Sequence, residues 1–392
     1  FVMALAVWDG HLYAGTYEEG EGESGHVYRY DGGNCWTDCG SPDQANAVGS
    51  LAVFQGKLYA GSTRYNAEGS ALRKSANWHP GGRVFRYEGN ARWTDCGKLG
   101  QANEAFALCT FRAKIYAAPL YQDGKGLYRY EGGQNWTFCG HPDRRVQPLI
   151  AYNGLLYAGS YDGGHVLSFD GSGWRDLGKP PDTTQVYSFA IYQGQLHTCT
   201  WPAGSVFVYD AKRKSWNHAG RLGDEKEVMA VAVYNGKLYA GTLPSAGVYR
   251  YEGGNRWTLT GRLDTTPNVR YRRVWSMAVY NGRLFAGTLP SGHVFSMEAG
   301  KCVTLDRELP PGWRHIAAVR SAGILKLYVD GNCAAETSPS QRADYDLSNA
   351  APLRIGFGQH DYFRGTLRDL RIYRRALNNA EIRDLARTSS PE

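Results

Sequence analysis

The residues of this 392-residue chain that could do chemistry are aromatic rings and ions scattered over polar connecting segments. Tyr17, Tyr161 and Trp201 each follow an alternating apolar stretch, and Tyr65, Trp78 and Tyr121 lie in longer insertions. Such rings stack on the C–H faces of pyranoses while nearby polar groups take the hydroxyls, although rings in loops also serve simply to pack. Arg144, Arg145, Arg270, Arg272 and Arg273 share these segments with Asp43, Asp182 and Glu225. Guanidinium forks grip carboxylate or sulfate, so an acidic polysaccharide is one reading and solvated surface charge the other. Glycoside hydrolysis needs two acids about 5 to 10 Å apart, and Asp43, Asp162, Asp182 and Glu225 carry no spacing that pairs them. There is no nucleophile elbow, phosphate loop or H-E-x-x-H. The eight cysteines (35, 39, 96, 109, 139, 199, 302, 333) contain no C-x-x-C, which argues against zinc. No cofactor or metal is expected; calcium stays open, without support.

What must position these residues is a repeat. The segment "AVWDGHLYAGT" (6–16) returns at 52–62, 109–119, 150–160, 190–200, 232–242 and 278–288. Each copy is an apolar run, a turn such as Asn235-Gly236 and an alternating return, the pattern of a tight hairpin. A third strand such as "GVYRYEGGN" (247–255) follows, then a fourth carrying Trp36, Trp93, Trp136, Trp174, Trp216 or Trp257. One such unit cannot bury both of its faces, whereas seven stacked radially can. The expected fold is therefore all-β: a seven-bladed β-propeller of four-stranded blades over residues 1–306. The seventh copy places Val303 where the others have Trp, so its outer strand is the weakest element. High glycine (49 residues) and 13% aromatics agree with twisted strands and tight turns.

The first-to-second and third-to-fourth turns are short and glycine-rich, whereas the second-to-third and blade-to-blade segments vary from 160–164 to 62–82. Variable loops on a rigid scaffold carry function, so the aromatic and arginine residues named above are expected to share one ligand-binding face.

The units resemble kelch-like propeller repeats in strand pattern and outer Trp, without kelch's paired glycines. At the third turn "YDGGNCW" (30–36) resembles the Asp-box of sialidase-like propellers through Asp31, Gly33 and Trp36. In that family the box is a folding turn, so the likeness implies no catalysis, and the arginine triad of sialidases is missing. After residue 306 the pattern changes. "PGWRHIAAVR" (311–320), "ILKLYVDGN" (324–332) and "GTLRDLRIYRRAL" (365–377) strongly resemble the second half of a laminin-G-like, concanavalin-A-like jelly roll, giving a partial domain at 307–392 that ends in a short helix capped by Asn378 or Asn379. The opening strands of that domain are either upstream of Phe1 or replaced by a reduced sheet. The resemblance implies glycan or protein binding, in some members through calcium. Asp330, in "VDGN", reads as a turn residue.

The net charge of +7 is dispersed, with no basic run for nucleic acid, and no apolar stretch is long enough for a membrane span. The function expected is that of a non-catalytic, extracellular or cell-surface protein recognising glycan or protein. A polysaccharide-active enzyme and a kelch-like interaction scaffold are the alternatives.

Overall fold

A computed structural model describes residues 1–120, 126–140, 145–339 and 350–388, so Tyr121 and Arg144 lie outside the described residues. The repeats form seven antiparallel sheets in chain order, and an eighth three-stranded sheet lies in the C-terminal segment. Blade 1 is typical, with strands Val2–Trp8, His11–Thr16, Val27–Gly32 and Cys35–Asp38. The first strand of each blade is innermost and packs on the first strand of the next. Blade 7 has three strands, Arg273–Tyr280, Arg283–Leu289 and Val294–Met297. Where its fourth strand was expected, the chain passes beneath blades 7 and 1 instead. There Thr304 Oγ1 accepts from Gly282 N at 2.9 Å, and the Asp306 carbonyl accepts from Gly10 N at 2.8 Å.

Three recurring contacts explain why the repeat closes. The glycine of the second strand leaves room for the next blade's valine: a Cβ on Gly241 would lie 2.4 Å from Val274 Cγ1, and one on Gly287 would lie 2.6 Å from Val2 Cγ1. That last contact joins blade 7 to blade 1. At the rim of tight turns, Tyr152, Tyr192, Tyr234 and Tyr280 hydroxyls donate to the carbonyls of Gly194, Gly236, Gly282 and Gly10, each the next blade's hairpin glycine. On the outside, the indole N–H of Trp93, Trp136, Trp174, Trp216 and Trp257 donates to the carbonyl of Cys39, Cys96, Cys139, Leu177 and Ala219 of the preceding blade. Those bonds measure between 2.8 and 3.1 Å. This accounts for a small or apolar residue at the cysteine position: its backbone is the acceptor, and its side chain fills space between blades. All eight cysteines are free thiols.

The Asp-box-like turns are structural in the same way. Asp31, Glu88, Glu131 and Glu252 each pair with the arginine two residues before, at 2.6 to 2.7 Å. The recurring histidines at the start of the third strand also pair within the blade, His26 with Asp38 at 3.0 Å and His165 with Asp176 at 2.9 Å.

The C-terminal segment contributes an antiparallel sheet of Ile316–Ser321, Ile324–Val329 and Asn332–Glu336, and a helix Asn379–Thr388. Asn378 caps the helix by accepting from Ala380 N and Glu381 N. The stretch between leans on the propeller: Gly194 N donates to the His360 carbonyl at 2.7 Å, and Gly236 N donates to Gln359 Oε1 at 2.8 Å. The "GTLRDLRIYRR" stretch, expected to be a strand, has no partner strand among the described residues, and Leu370 and Ile372 stand 61% and 72% exposed.

Candidate functional site

The loop-rich face is not open at its centre. Phe1, Tyr17, Tyr65, Phe106 and Trp275 meet there, Tyr17–Tyr65 and Tyr65–Trp275 edge to face with centroids 5.7 Å apart and Phe1 tilted on Tyr17 at 4.6 Å. The long blade-2 insertion turns through a short 3-10 helix, Ala67–Ser70, and lays Ala67 and Leu72 on this cluster. Asn46 clamps it by accepting from Tyr65 N and donating to the Tyr65 carbonyl. This corrects two of the expected ligand contacts. Tyr17 (1% exposed) and Tyr65 (5% exposed) are buried because the insertion folds inward over the channel and takes their ring faces for packing.

Blades 4 to 7 have short second-to-third connections and form a low shelf beside the long insertions of blades 1 and 2 at 17–26 and 64–82, which form a wall. Along the shelf, at the edge of the plug, runs a partly buried strip in which Tyr161 and Tyr187 pack against the plug residues. Arg145 pairs with Asp162 through Nε at 2.6 Å and lies over the Tyr161 ring at 4.4 Å. Tyr161 meets the Tyr187 ring edge-on at 5.8 Å, the Tyr187 hydroxyl donates to Gln185 Oε1 at 2.5 Å, and Gln185 pairs across the blade with Trp201. The structure thus unites Tyr161, Arg145 and Trp201 from the expected set. It adds Tyr187 and Gln185, which the strand alternation hid, since they sit at the loop end of an innermost strand.

The other expected residues are placed apart from the strip. Trp78 is 56% exposed on the blade-2 wall, with Lys74 Nζ 4.3 Å from its ring centroid. Arg272 donates to the Thr266 carbonyl at 2.7 Å and so braces the blade-6 to blade-7 loop, while exposed Arg270 lies over Tyr271. Arg273 is buried against Glu227 at 3.4 Å. Burial pushes the Glu227 carboxyl above its ordinary range, opposed by the Arg273 charge. Among the described arginines of this set, Arg145, Arg272 and Arg273 are held by protein partners, which leaves exposed Arg270 as the cation for an acidic ligand. Of the acids offered for catalysis, Asp162 pairs with Arg145 and buried Glu225 accepts from the Ser245 hydroxyl; Asp43 Oδ1 accepts from Gln44 N while its Oδ2 is buried without a partner, and Asp182 is exposed.

The opposite end of the channel is wider, a cavity of about 1740 Å³ walled by aliphatic side chains such as Val53, Ile191 and Val233 and roofed by residues 304–311 and 359–364. Polar groups at its edge are used in the roof's own bonds, His360 with the Ile191 carbonyl and Arg364 with Asn153. Its aliphatic walls thus meet a charged rim that includes Lys57, Arg112, Arg307, Asp9 and Asp361.

Among the described residues no group of three or more His, Cys, Asp or Glu is placed to hold a metal, and no helix is long and apolar enough to cross a membrane.

Fold and sites together define a seven-bladed β-propeller joined to a partial concanavalin-A-like segment. Residues 255–383 match a family described as the concanavalin A-like lectin/glucanases superfamily. That match starts at the outer strand of blade 6 and covers all of blade 7. No curated protein matches. Among solved structures, the chain is similar to the extracellular domain of a one-component system from B. thetaiotaomicron, with 12% identity and a TM-score of 0.54 over 81% of this chain and 39% of that one. The chain thus spans well under half the length of that relative. Virginiamycin B lyase from Staphylococcus aureus has 8% identity and a TM-score of 0.57, over 73% of this chain and 91% of that one. The WD40 β-propeller domain of Doa1 has 12% identity and a TM-score of 0.55, over 75% and 91%. An extracellular domain of a one-component system, a lyase and a WD40 domain share this architecture, so function has to be argued from the site.

Proposed function

We propose that this is a non-catalytic binding protein that recognises a glycan on the shelf of blades 4 and 5, with residues 307–392 as an accessory recognition module. The observation that carries this reading is the partly buried row of Tyr161, Tyr187 and Trp201, with Gln185 as the cross-strand neighbour of Trp201 and the Arg145–Asp162 pair at the other end. Rings supply stacking faces, and the neighbouring polar groups supply hydroxyl partners. Local pairing of Asp162 and Glu225 weighs against their use in hydrolysis, and the pairing of Arg145 with Asp162 and of Arg273 with Glu227 weighs against a strongly acidic ligand. An extracellular setting fits the concanavalin-A-like segment and the likeness to an extracellular sensor domain. A protein ligand is the second reading, favoured by the apolar side chains left exposed at Leu353, Leu370 and Ile372.

The test is a glycan array with neutral and acidic polysaccharides, coupled to a reducing-end assay. Binding without turnover, lost in the Tyr161→Ala/Trp201→Ala double variant, is the expected outcome. New reducing ends, or unchanged binding by the double variant, would overturn it.

A further inference from the structure

Beside the strip, beneath the Tyr65–Ser70 turn, lies a small cavity of about 30 Å³. Its walls include Tyr161, Tyr187, Trp275, Gln147 and Arg273, contributed by blades 4, 5 and 7. Two buried polar atoms on this lining have no hydrogen-bond partner, Gln147 Oε1 and Arg273 Nη1; both residues are 6% exposed. Buried polar groups are nearly always paired, so two complementary orphans on one small cavity mark a place shaped for a partner.

The chemistry of that partner is constrained. It must accept from a guanidinium N–H and donate to an amide oxygen, which a hydroxyl does and a carboxylate or sulfate does not. Charge points the same way. Glu227 Oε1 lies 3.4 Å from Arg273 Nε, so the guanidinium is already balanced, and an anion would meet the Glu227 carboxylate behind it. Size excludes a sugar ring, since the volume is about that of one water molecule. A hydroxyl reaching in from a ring stacked on Tyr161 or Tyr187 fits.

We propose that this cavity is a subsite for the primary hydroxyl of a neutral hexose, with Arg273 Nη1 donating to its oxygen and Gln147 Oε1 accepting its proton. The inference rests on the glycan reading of the strip and names the group that the strip selects. The tie-down of the covering turn is one-sided: Tyr65 is clamped by Asn46, and Ser75 and Asn77 donate to carbonyls of Glu18 and Glu23 in blade 1. These hydrogen bonds of the turn all run toward blades 1 and 2, away from Tyr161 and Tyr187, so the strip side is the approach.

The experiment is calorimetric titration of the full chain with methyl glycosides of glucose, galactose and mannose, each beside its 6-deoxy and 6-carboxylate counterparts. At least one parent hexoside is expected to bind about tenfold more tightly than both counterparts, the discrimination a hydrogen bond to a buried charged group can give. That preference should vanish in Gln147→Leu. Arg273→Met combined with Glu227→Leu should also lose it, without leaving a buried charge unpaired. Cooperative thermal unfolding well above the titration temperature establishes that the variants are folded. Equal affinity for parent and 6-deoxy sugars, tighter binding of the carboxylate, or no hexoside binding at all would overturn the subsite. If array binding still depends on Trp201 while the hexosides show no preference, the subsite fails and the glycan-binding strip stands. If the wild-type chain binds no glycan on the array, the functional reading itself has failed.

Discussion

At the scale of single residues, the Glu227–Arg273 pair is the most sensitive point of the channel. Its side chains are 1% and 8% exposed, and Tyr271 and Trp275 flank the guanidinium. Removing one partner strands the other charge, so Glu227→Ala should destabilise by about 3–5 kcal/mol, whereas Glu227→Leu with Arg273→Met should stay within about 1–2 kcal/mol of wild type. Urea denaturation of both variants checks this. The pair also predicts a pH dependence. Burial raises the folded Glu227 carboxyl above its ordinary value of 4.5, so the folded state holds a proton that the unfolded chain releases. Its stabilising contribution is complete below 4.5 and is lost as pH rises through the folded value. In Glu227→Gln that decline should disappear from the stability profile; an identical slope would show that Glu227 does not titrate there. The expected contacts Tyr17 and Tyr65 were recognisable as aromatic loop residues, but whether a ring faces solvent depends on how the insertion folds. Gln147 and Tyr187 left no mark at all, since alternation says which face a strand residue takes and nothing about what lies above its end.

At the scale of elements, the repeat was legible because its residues serve the blade interface. The Gly of "YAGT" and the outer Trp recur since the neighbouring blade demands them. Gly241→Val should cost about 1–3 kcal/mol by forcing bulk against Val274. Trp257→Phe should lose about 1 kcal/mol with the bond to the Ala219 carbonyl. Thermal or urea unfolding measures both. Cys199, fully buried, stands at the glycine position in blade 5 and packs with Val228, so that interface accepts a small side chain where its backbone spacing allows one. The fourth strand of blade 7 was the doubtful element, and the reason is visible: with Val303 in place of Trp there is no indole to reach the previous blade. The segment is held by its backbone and by Asp306, whose carboxylate accepts from Asn281 N at 2.8 Å.

At the scale of the whole molecule, closure runs from Gly287 and Tyr280 of blade 7 to Val2 and Gly10 of blade 1. None of these contacts involves residues 307–392. A chain ending at residue 306 should therefore fold as a propeller, with a somewhat lower thermal midpoint from loss of the Gln359 and His360 bonds to blades 5 and 6. Failure of that fragment to fold would move the domain boundary. The family match already reaches back to residue 255, into blades 6 and 7.

The period of the repeat, the number of blades and the change of pattern after residue 306 are written along the chain, because strand alternation and tight turns recur in all seven copies and the outer tryptophan in six. Which rings of the loop face meet solvent, which arginines keep a free charge, and where a small polar cavity opens are not local. The blade-2 insertion, the short loops of blades 4 to 7 and the loop-end residues of four innermost strands meet only after the ring has closed. Burial and pairing there follow from neighbours distant in sequence, and only the tertiary structure brings them together.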